Sequence, residues 1–313
     1  MSAALATATG RWSATRNADS SASVARLYWA SAGKSATAVV ILQLVGEGKL
    51  SLSDPVSRWV RDCPSGSIIT IDHLLLHTSG LFSANEDARW RAKPRDLTPA
   101  EYLKISAQHG LMFCPGQHWR YTNTGYSLLG QVIEAIEGRP YHEVVNTRLF
   151  APLGLRLLRA LPPGETPADV APLVPTSADA AVLQPAWGRG AGSLAGPADE
   201  MIAYWHALLA GHLLRPNEQA LLFERLYPMF DPGLYYGRGV MLYEVPDPEG
   251  PARVWLGHSG GTPGAKAVVA WSPYDSAFVA VALTGDGSSE ATALLLLKQL
   301  APVNASLPPP SKP

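Results

Sequence analysis

The sequence predicts an α/β (α+β) protein: an antiparallel sheet flanked by helices, built from both chain ends, with a mostly helical second domain between them. Three observations carry this. Arg253 to Leu256, Ala265 to Trp271 and Phe278 to Thr284 are short β-rich runs separated by Gly and Pro turns. Leu5 to Ala14 is light on turn residues and reads as a strand near the other end. The intervening text is helix-patterned, so both termini close one sheet around a helical insertion. The expected partition is residues 1–55 and 190–303 for the sheet domain, 56–189 for the helical domain and 304–313 for a disordered tail.

In chain order, Asn17 to Ser21 reads as a polar turn, followed by the run Ala36 to Val45, which has the length and density of a buried helix and stops near Gly46 to Gly48. Leu50 to Val56 is an extended linker, because its Asp54-Pro55 step disfavours helix. Ile69 to Ser79 predicts a short helix capped by Thr70 and ended by Gly80. Thr98 to His109 predicts another. Tyr126 to Glu137 is amphipathic with Gly138-Arg139-Pro140 as its stop, and Tyr141 to Phe150 returns to helix. Prolines and alanines from Leu161 to Pro185 predict an irregular surface connection. Pro197 to Ala210 is a helix with proline in its first turn and Gly211 beyond its end. Glu290 to Leu300 closes the fold as a helix.

With 313 residues, 25 Lys and Arg against 26 Asp and Glu, and no basic block, the chain carries no signature of nucleic-acid or anionic-membrane binding. No apolar run approaches the length of a membrane span. Met1 to Gly10 lacks the charged start and long apolar segment of an export signal. The chain as given therefore predicts a cytoplasmic protein, or a periplasmic or secreted one if more sequence precedes it. Cys63 and Cys114 match no metal spacing and are expected to be isolated thiols. His73 and His77 form a His-x-x-x-His pair without the intervening glutamate of a zinc-protease helix and without an obvious third ligand, so a structural role is expected and no metal.

Three stretches are rich in chemistry. Ser31 and Lys34 are three apart at the start of the buried helix and would share a face. A neutral lysine can take the proton that makes a serine hydroxyl a poor nucleophile, and a helix N-terminus favours both the alkoxide and the neutral amine. A capping serine beside a surface lysine fits the same spacing. Arg120 to Gly125 is a polar loop in which Tyr121 and Asn123, two apart, would point to one side if extended. A tyrosine near a lysine can act as general base, and an asparagine can both donate and accept. A core tyrosine beside a turn asparagine fits as well. Gly257-His258-Ser259-Gly260-Gly261 also matches the Gly-x-Ser-x-Gly nucleophile elbow. An elbow requires a helix after the serine and a later histidine, whereas Thr262-Pro263-Gly264 leads to a strand and no histidine follows His258. Two readings of this stretch remain, a tight glycine turn and a glycine-bordered strand that a substrate can approach, with an N–H near Gly261 pairing with that of Ser31 to hold an oxyanion.

Ser31-x-x-Lys34, Tyr121-x-Asn123 and His258-Ser259-Gly260, in that order, resemble the three motifs of the serine β-lactamase-like proteins. The nearest resemblance is to class C, with its related D-Ala-D-Ala carboxypeptidases, D-aminopeptidases and family VIII carboxylesterases. It extends from Leu27 to Thr284 and includes Leu42 to Val56, Leu75 to Leu81, Pro115-Gly116, Pro152 to Leu155 and Gly192 to Asp199. The resemblance implies a penicillin-recognising fold and an acyl-enzyme mechanism on a small-molecule ester, amide or β-lactam, with no cofactor. Ser31 would attack, and Tyr121 with Lys34 beside it would take the serine proton and later activate water. Asn123, His258, Ser259, Gly260 and Gly261 would bind substrate, the last with Ser31 as the oxyanion hole. His258 stands where many relatives carry lysine, which implies a carboxylate-recognising cation dependent on pH. His77 and Thr78 are expected to shape a loop. The implied activities are a carboxylesterase first, then a D-aminopeptidase, D-Ala-D-Ala carboxypeptidase or β-lactamase, with a non-turnover β-lactam sensor as the alternative of another class. Relatives carry a longer segment before the Ser-x-x-Lys helix, so either the true start lies upstream or the sheet has lost an element and has an unpaired edge. The resemblance leaves the oligomeric state open.

Overall fold

The computed structural model describes residues 1–16, 26–93, 95, 97–164, 166–174, 189–247 and 252–300. The Asn17–Ser21 turn, the proline- and alanine-rich stretch beyond residue 174 and the 304–313 tail lie outside the described residues.

The N-terminal stretch read as one strand is a hairpin, β1 (Ser2–Thr7) and β2 (Arg11–Thr15). The turn escapes a search for Pro and Asn because Thr7 builds it. Its Oγ1 accepts from the Thr9 and Gly10 amides at 3.3 and 3.1 Å, while its own N–H donates to Gly10 O at 2.9 Å. After β3 (Leu27–Tyr28) a 3-10 turn, Ala30–Gly33, runs into α1 (Lys34–Gly46). Nearly every residue of α1 as far as Leu44 is buried, as expected of a helix that is apolar all round.

The next stretch is helical. α2 (Ile71–Leu75) is shorter than the sequence predicts but keeps its Thr70 cap, completed by His73 Nδ1, which accepts from the Thr70 N–H. α3 (Ala88–Ala92) precedes α4 (Pro99–His109), whose Thr98–Glu101 capping box matches its predicted start. α5 (Asn123–Glu137) begins three residues before the predicted helix, and Gly138 ends it in the left-handed region. α6 (Tyr141–Val145) continues as a π-turn through Phe150.

β4 (Arg159–Ala160) and β5 (Leu194–Gly196) join β3 in a small sheet of order β3-β5-β4. α7 (Ala198–Leu209) and α8 (Pro216–Leu221) precede β6 (Tyr227–Pro228), β7 (Leu234–Tyr236), β8 (Met241–Val245), β9 (Arg253–Thr262), β10 (Ala265–Ser272) and β11 (Ala277–Thr284), and α9 (Ser289–Lys298) closes the described chain. The main sheet has the order β2-β1-β11-β10-β9-β8-β7-β6 with every pairing antiparallel, so both ends of the sequence meet at β1 and β11.

Alternation divides the sheet into two faces. Val268, Ala270, Val279 and Val281 face α9, while Ala267, Val269, Ala280 and Ala282 join the larger core that includes α1, α5 and α7. A second tie is Arg238, 2% exposed in the β7–β8 loop, which forks onto Asp72 of α2 at 2.6 and 3.2 Å. Cys63 and Cys114 are unpaired, and burial pushes the Cys63 thiol up to about 12. Among the described residues no helix is long and apolar enough to cross a membrane, and no cluster of three or more His, Cys, Asp or Glu could hold a metal ion.

Candidate active site

Ser31 is held in place from both sides of its turn. Trp29 is fully buried, donates its backbone N–H to Leu194 O at 2.9 Å and its indole N–H to Gly196 O at 3.0 Å, and so anchors the turn to β5. Ala30 takes φ +46°, a strained value for a residue with a Cβ, immediately before the serine. Two glycines permit this. A Cβ on Gly192 would lie 2.3 Å from Ala30 O, and one on Gly260 would lie 2.3 Å from Trp29 O and 2.7 Å from Ser31 N.

In a 3-10 turn residues three apart eclipse, so Lys34 stacks over Ser31. Its Nζ lies 3.0 Å from Ser31 Oγ, 2.7 Å from Asn123 Oδ1 and 2.6 Å from Ala191 O. The lysine is fully buried with no carboxylate among these partners, and burial holds its amine well below the ordinary lysine range. Tyr121 completes the cluster. Its phenol interacts with the Ser31 hydroxyl, and the Lys34 amine lies 4.9 Å from its ring centroid. Burial raises the phenol pKa and outweighs the opposing effect of Ser31, so the hydroxyl keeps its proton at neutral pH.

Asn123 is not in an extended segment but opens α5, with its N–H donating to Ser83 Oγ at 2.9 Å. Its amide is engaged at both ends. Oδ1 accepts from Lys34, and Nδ2 donates to Asn85 Oδ1 at 3.0 Å, which also accepts from Ser83 Oγ at 2.7 Å. In this structure the Asn123 amide bridges the Lys34 amine and the Asn85 side chain. Ser83, Asn85 and the carbonyl of Ala191 carry no sequence signal, because they come from loops whose convergence only the fold creates.

Gly257 to Gly261 belong to the continuous strand β9, which decides between the two readings of that stretch in favour of a strand. β8 pairs with β9 only as far as Met241 and Gly257, so beyond that point the β9 edge is left to the Ser31 turn. Alternation then separates the motif. His258 and Gly260 share the face of Val269 and Ala267, towards α1, and the Gly260 backbone reaches Ser31. Ser259 shares the face of Val268 and turns its hydroxyl to Met241 Sδ at 3.9 Å and to Tyr243. Gly261 is exposed, with the ammonium of Lys266 3.3 Å from where a Cβ would stand.

His258 differs from the expected titrating cation. It is 1% exposed, with Nδ1 2.5 Å from Ser259 O and Nε2 3.3 Å from Tyr236 Oη. Burial, aided by the nearby Lys34, lowers its pKa to about 3. The imidazole is therefore neutral wherever the fold is intact at ordinary pH, and the predicted pH-dependent charge at this position is not found.

A buried Ser-x-x-Lys turn between an antiparallel sheet and a helical layer defines the class of β-lactamase and penicillin-binding folds. The chain belongs to the β-lactamase family, whose model matches residues 8–301. Penicillin-binding protein 4* of Bacillus subtilis is 38% identical over 136 residues, covering 42% of this chain and 29% of that protein. Esterase EstB of Burkholderia gladioli is 33% identical over 149 residues, 41% of this chain and 36% of that protein. These matches thus span about a third of the relatives' length. The solved structure of a D-stereospecific amidohydrolase from Streptomyces sp. superimposes with a TM-score of 0.77 at 26% identity, covering 94% of this chain and 92% of that one.

Proposed function

We propose that this chain is a serine hydrolase that forms an acyl-enzyme at Ser31, with small apolar carboxylic esters as its preferred substrates. The observation that carries the reading is the environment of the Lys34 amine. Its two shortest contacts go to Asn123 Oδ1 and Ala191 O, both oxygens that can only accept. A neutral amine spends its two N–H bonds there and turns its lone pair to the Ser31 hydroxyl, 3.0 Å away. Attack then forms the bond from Ser31 Oγ to the carbonyl carbon as the hydroxyl proton passes to Lys34. The oxyanion is received by the Ser31 and Gly261 amides. The neutral phenol of Tyr121 gives its proton to the leaving alkoxide and is replenished from Lys34, and the same relay reversed activates the deacylating water. On this reading Lys34 is the first proton acceptor and Tyr121 the shuttle, and the site lies at the seam between a sheet domain and a helical insertion.

Neutral substrates are favoured because His258 offers no charge to a carboxylate and because Phe230, 69% exposed, packs its ring 6.1 Å from that of Tyr121. The ring gives an acyl or aryl group an apolar surface beside the reacting atoms. The esterase named among the relatives supports the same choice. A specific observation favours a second reading. The Lys266 ammonium beside Gly261 would suit a carboxylate-bearing D-peptide or β-lactam, as the amidohydrolase and penicillin-binding relatives suggest.

Parallel assays with p-nitrophenyl butyrate, a chromogenic cephalosporin and D-alanyl p-nitroanilide test the proposal. Turnover greatest on the butyrate is expected. One-to-one labelling without turnover on all three would replace the hydrolase with a sensor.

A further inference from the structure

His77 is outside the cluster that the motifs mark, yet the chain around it is arranged about Tyr121. It follows α2 with φ +58°, a left-handed conformation that residues with a Cβ seldom adopt. That turn aims both its carbonyl and its ring at the segment carrying the phenol. His77 O accepts the Arg120 N–H at 3.0 Å, and His77 Nδ1 accepts the Thr122 N–H at 3.2 Å. These two bonds bracket Tyr121 along the backbone. The imidazole also packs against the Tyr121 ring in a tilted arrangement, with centroids 4.2 Å apart and planes 37° apart. Tyr236, Tyr126 and Trp119 close round it at 4.5, 5.0 and 6.1 Å.

The chemistry of the ring follows from these contacts. Because Nδ1 accepts from a backbone amide, the proton of the neutral imidazole is on Nε2, which is buried and has no hydrogen-bond partner among the described residues. The charged and titratable groups facing it are Lys34, His258 and the three tyrosines. Burial first, then Lys34 and His258, keep the ring well below the ordinary histidine pKa. A residue held at a strained φ, fully buried, with one nitrogen unpaired, is costly to a protein that needs only a loop there.

We infer that His77 is a positioning residue for Tyr121, clamping the backbone on both sides of it so that the phenol stays on the Ser31 hydroxyl. The inference rests on the acyl-enzyme reading above. It predicts that what matters at position 77 is an acceptor at the Nδ1 position on a left-handed backbone, and not bulk. Asparagine meets both requirements, since its Oδ1 falls near Nδ1 and it tolerates positive φ. Glutamine carries its amide one bond too far to meet the Thr122 N–H, and leucine has no acceptor.

The test uses the full chain, p-nitrophenyl butyrate and the variants His77→Asn, His77→Gln and His77→Leu, each alone and with Tyr121→Phe. Wild-type turnover that is lost in Ser31→Ala establishes the acyl-enzyme reading first, so a failure of that reading is seen before position 77 is examined. The expected result is a kcat lower by about 10- to 100-fold in the Gln and Leu variants with KM within about two-fold, as for a misplaced catalytic group. His77→Asn should recover most of the rate, and none of the three should lower the residual rate of Tyr121→Phe further. Should the Leu variant not fold, the Asn and Gln pair, both polar, carries the same comparison. Equal rates in Asn and Gln, or losses that persist undiminished in the Tyr121→Phe background, would overturn the inference.

Discussion

Gly260 lies so close to Ser31 that a Cβ on it would stand 2.7 Å from the Ser31 amide nitrogen. The nucleophile's turn and the strand beside it touch backbone to backbone, and no side chain fits between them. The distance sets the position of both donors proposed for the oxyanion, because Gly261 follows directly on the strand.

Gly260→Ala should therefore separate the two elements. The obstructing atoms are backbone, so the turn or the strand must move. Activity on p-nitrophenyl butyrate should fall by about 100-fold or more, the typical effect of losing one oxyanion donor. Denaturant unfolding should show a loss of about 1–3 kcal/mol from overpacking. Unchanged kcat/KM would remove this contact from the mechanism.

The two serines of the motifs should behave oppositely. Ser31→Ala is expected to abolish turnover and labelling by a fluorophosphonate. Ser259→Ala, whose hydroxyl faces Met241 and Tyr243, should still be labelled. Labelling that survives Ser31→Ala would refute the nucleophile.

Asn123→Asp tests the neutral amine. The new carboxylate would stand at the position of Oδ1, 2.7 Å from Lys34 Nζ, and stabilise the ammonium. In the wild type, activity should be lost as pH falls through the lowered Lys34 pKa, because protonation would remove the proposed base. The variant should lose this activity at higher pH, so its acid limb in kcat/KM moves upward, with partial recovery under alkaline conditions. An acid limb that does not move would point to a base other than Lys34.

His258 has a further consequence in stability. Its folded pKa of about 3 lies below the ordinary 6.5, so between those values the unfolded chain binds the extra proton. Its contribution is complete above pH 6.5 and is lost as pH falls towards 3. Tm should decline through that window, less steeply in His258→Asn. Relative activity on anionic and neutral esters should stay flat between about pH 5 and 8, since no charge appears at this position. A ratio that changes with a midpoint near 6.5 would show an accessible imidazole.

What could be read from the sequence depended on how locally each feature is encoded. The α4 start is written in Thr98, Pro99 and Glu101, and the residues that cap it are neighbours in the chain. Ser31, Lys34 and Tyr121 could be named because their motifs are short and ordered along the chain, and the fold brings them within reach of one another. The β1–β2 turn was hidden because a threonine hydroxyl replaced the usual turn residues. α5 was predicted to start late because Thr122, Asn123, Thr124 and Gly125 have the composition of a loop, although Asn123 already opens the helix. The charge state of His258 was out of reach, since a strand residue's type says nothing of how deeply its neighbours bury it. Asn85 and Ala191 were invisible for a related reason: each matters only through an atom of Asn123 or Lys34 that a distant loop happens to meet.

The encasement of α1 bears on how ligands come and go. Apolar side chains of α1, α5, α7 and the large sheet belong to one continuous core. Swinging the two layers apart would wet all of it at once, at about 25 cal/mol for each Å² uncovered. On the proposed reading the layers therefore stay together through turnover, and discrimination among visitors falls to side chains such as Phe230, beside Tyr121, and Lys266, beside Gly261, and not to a clamshell closing on the right guest.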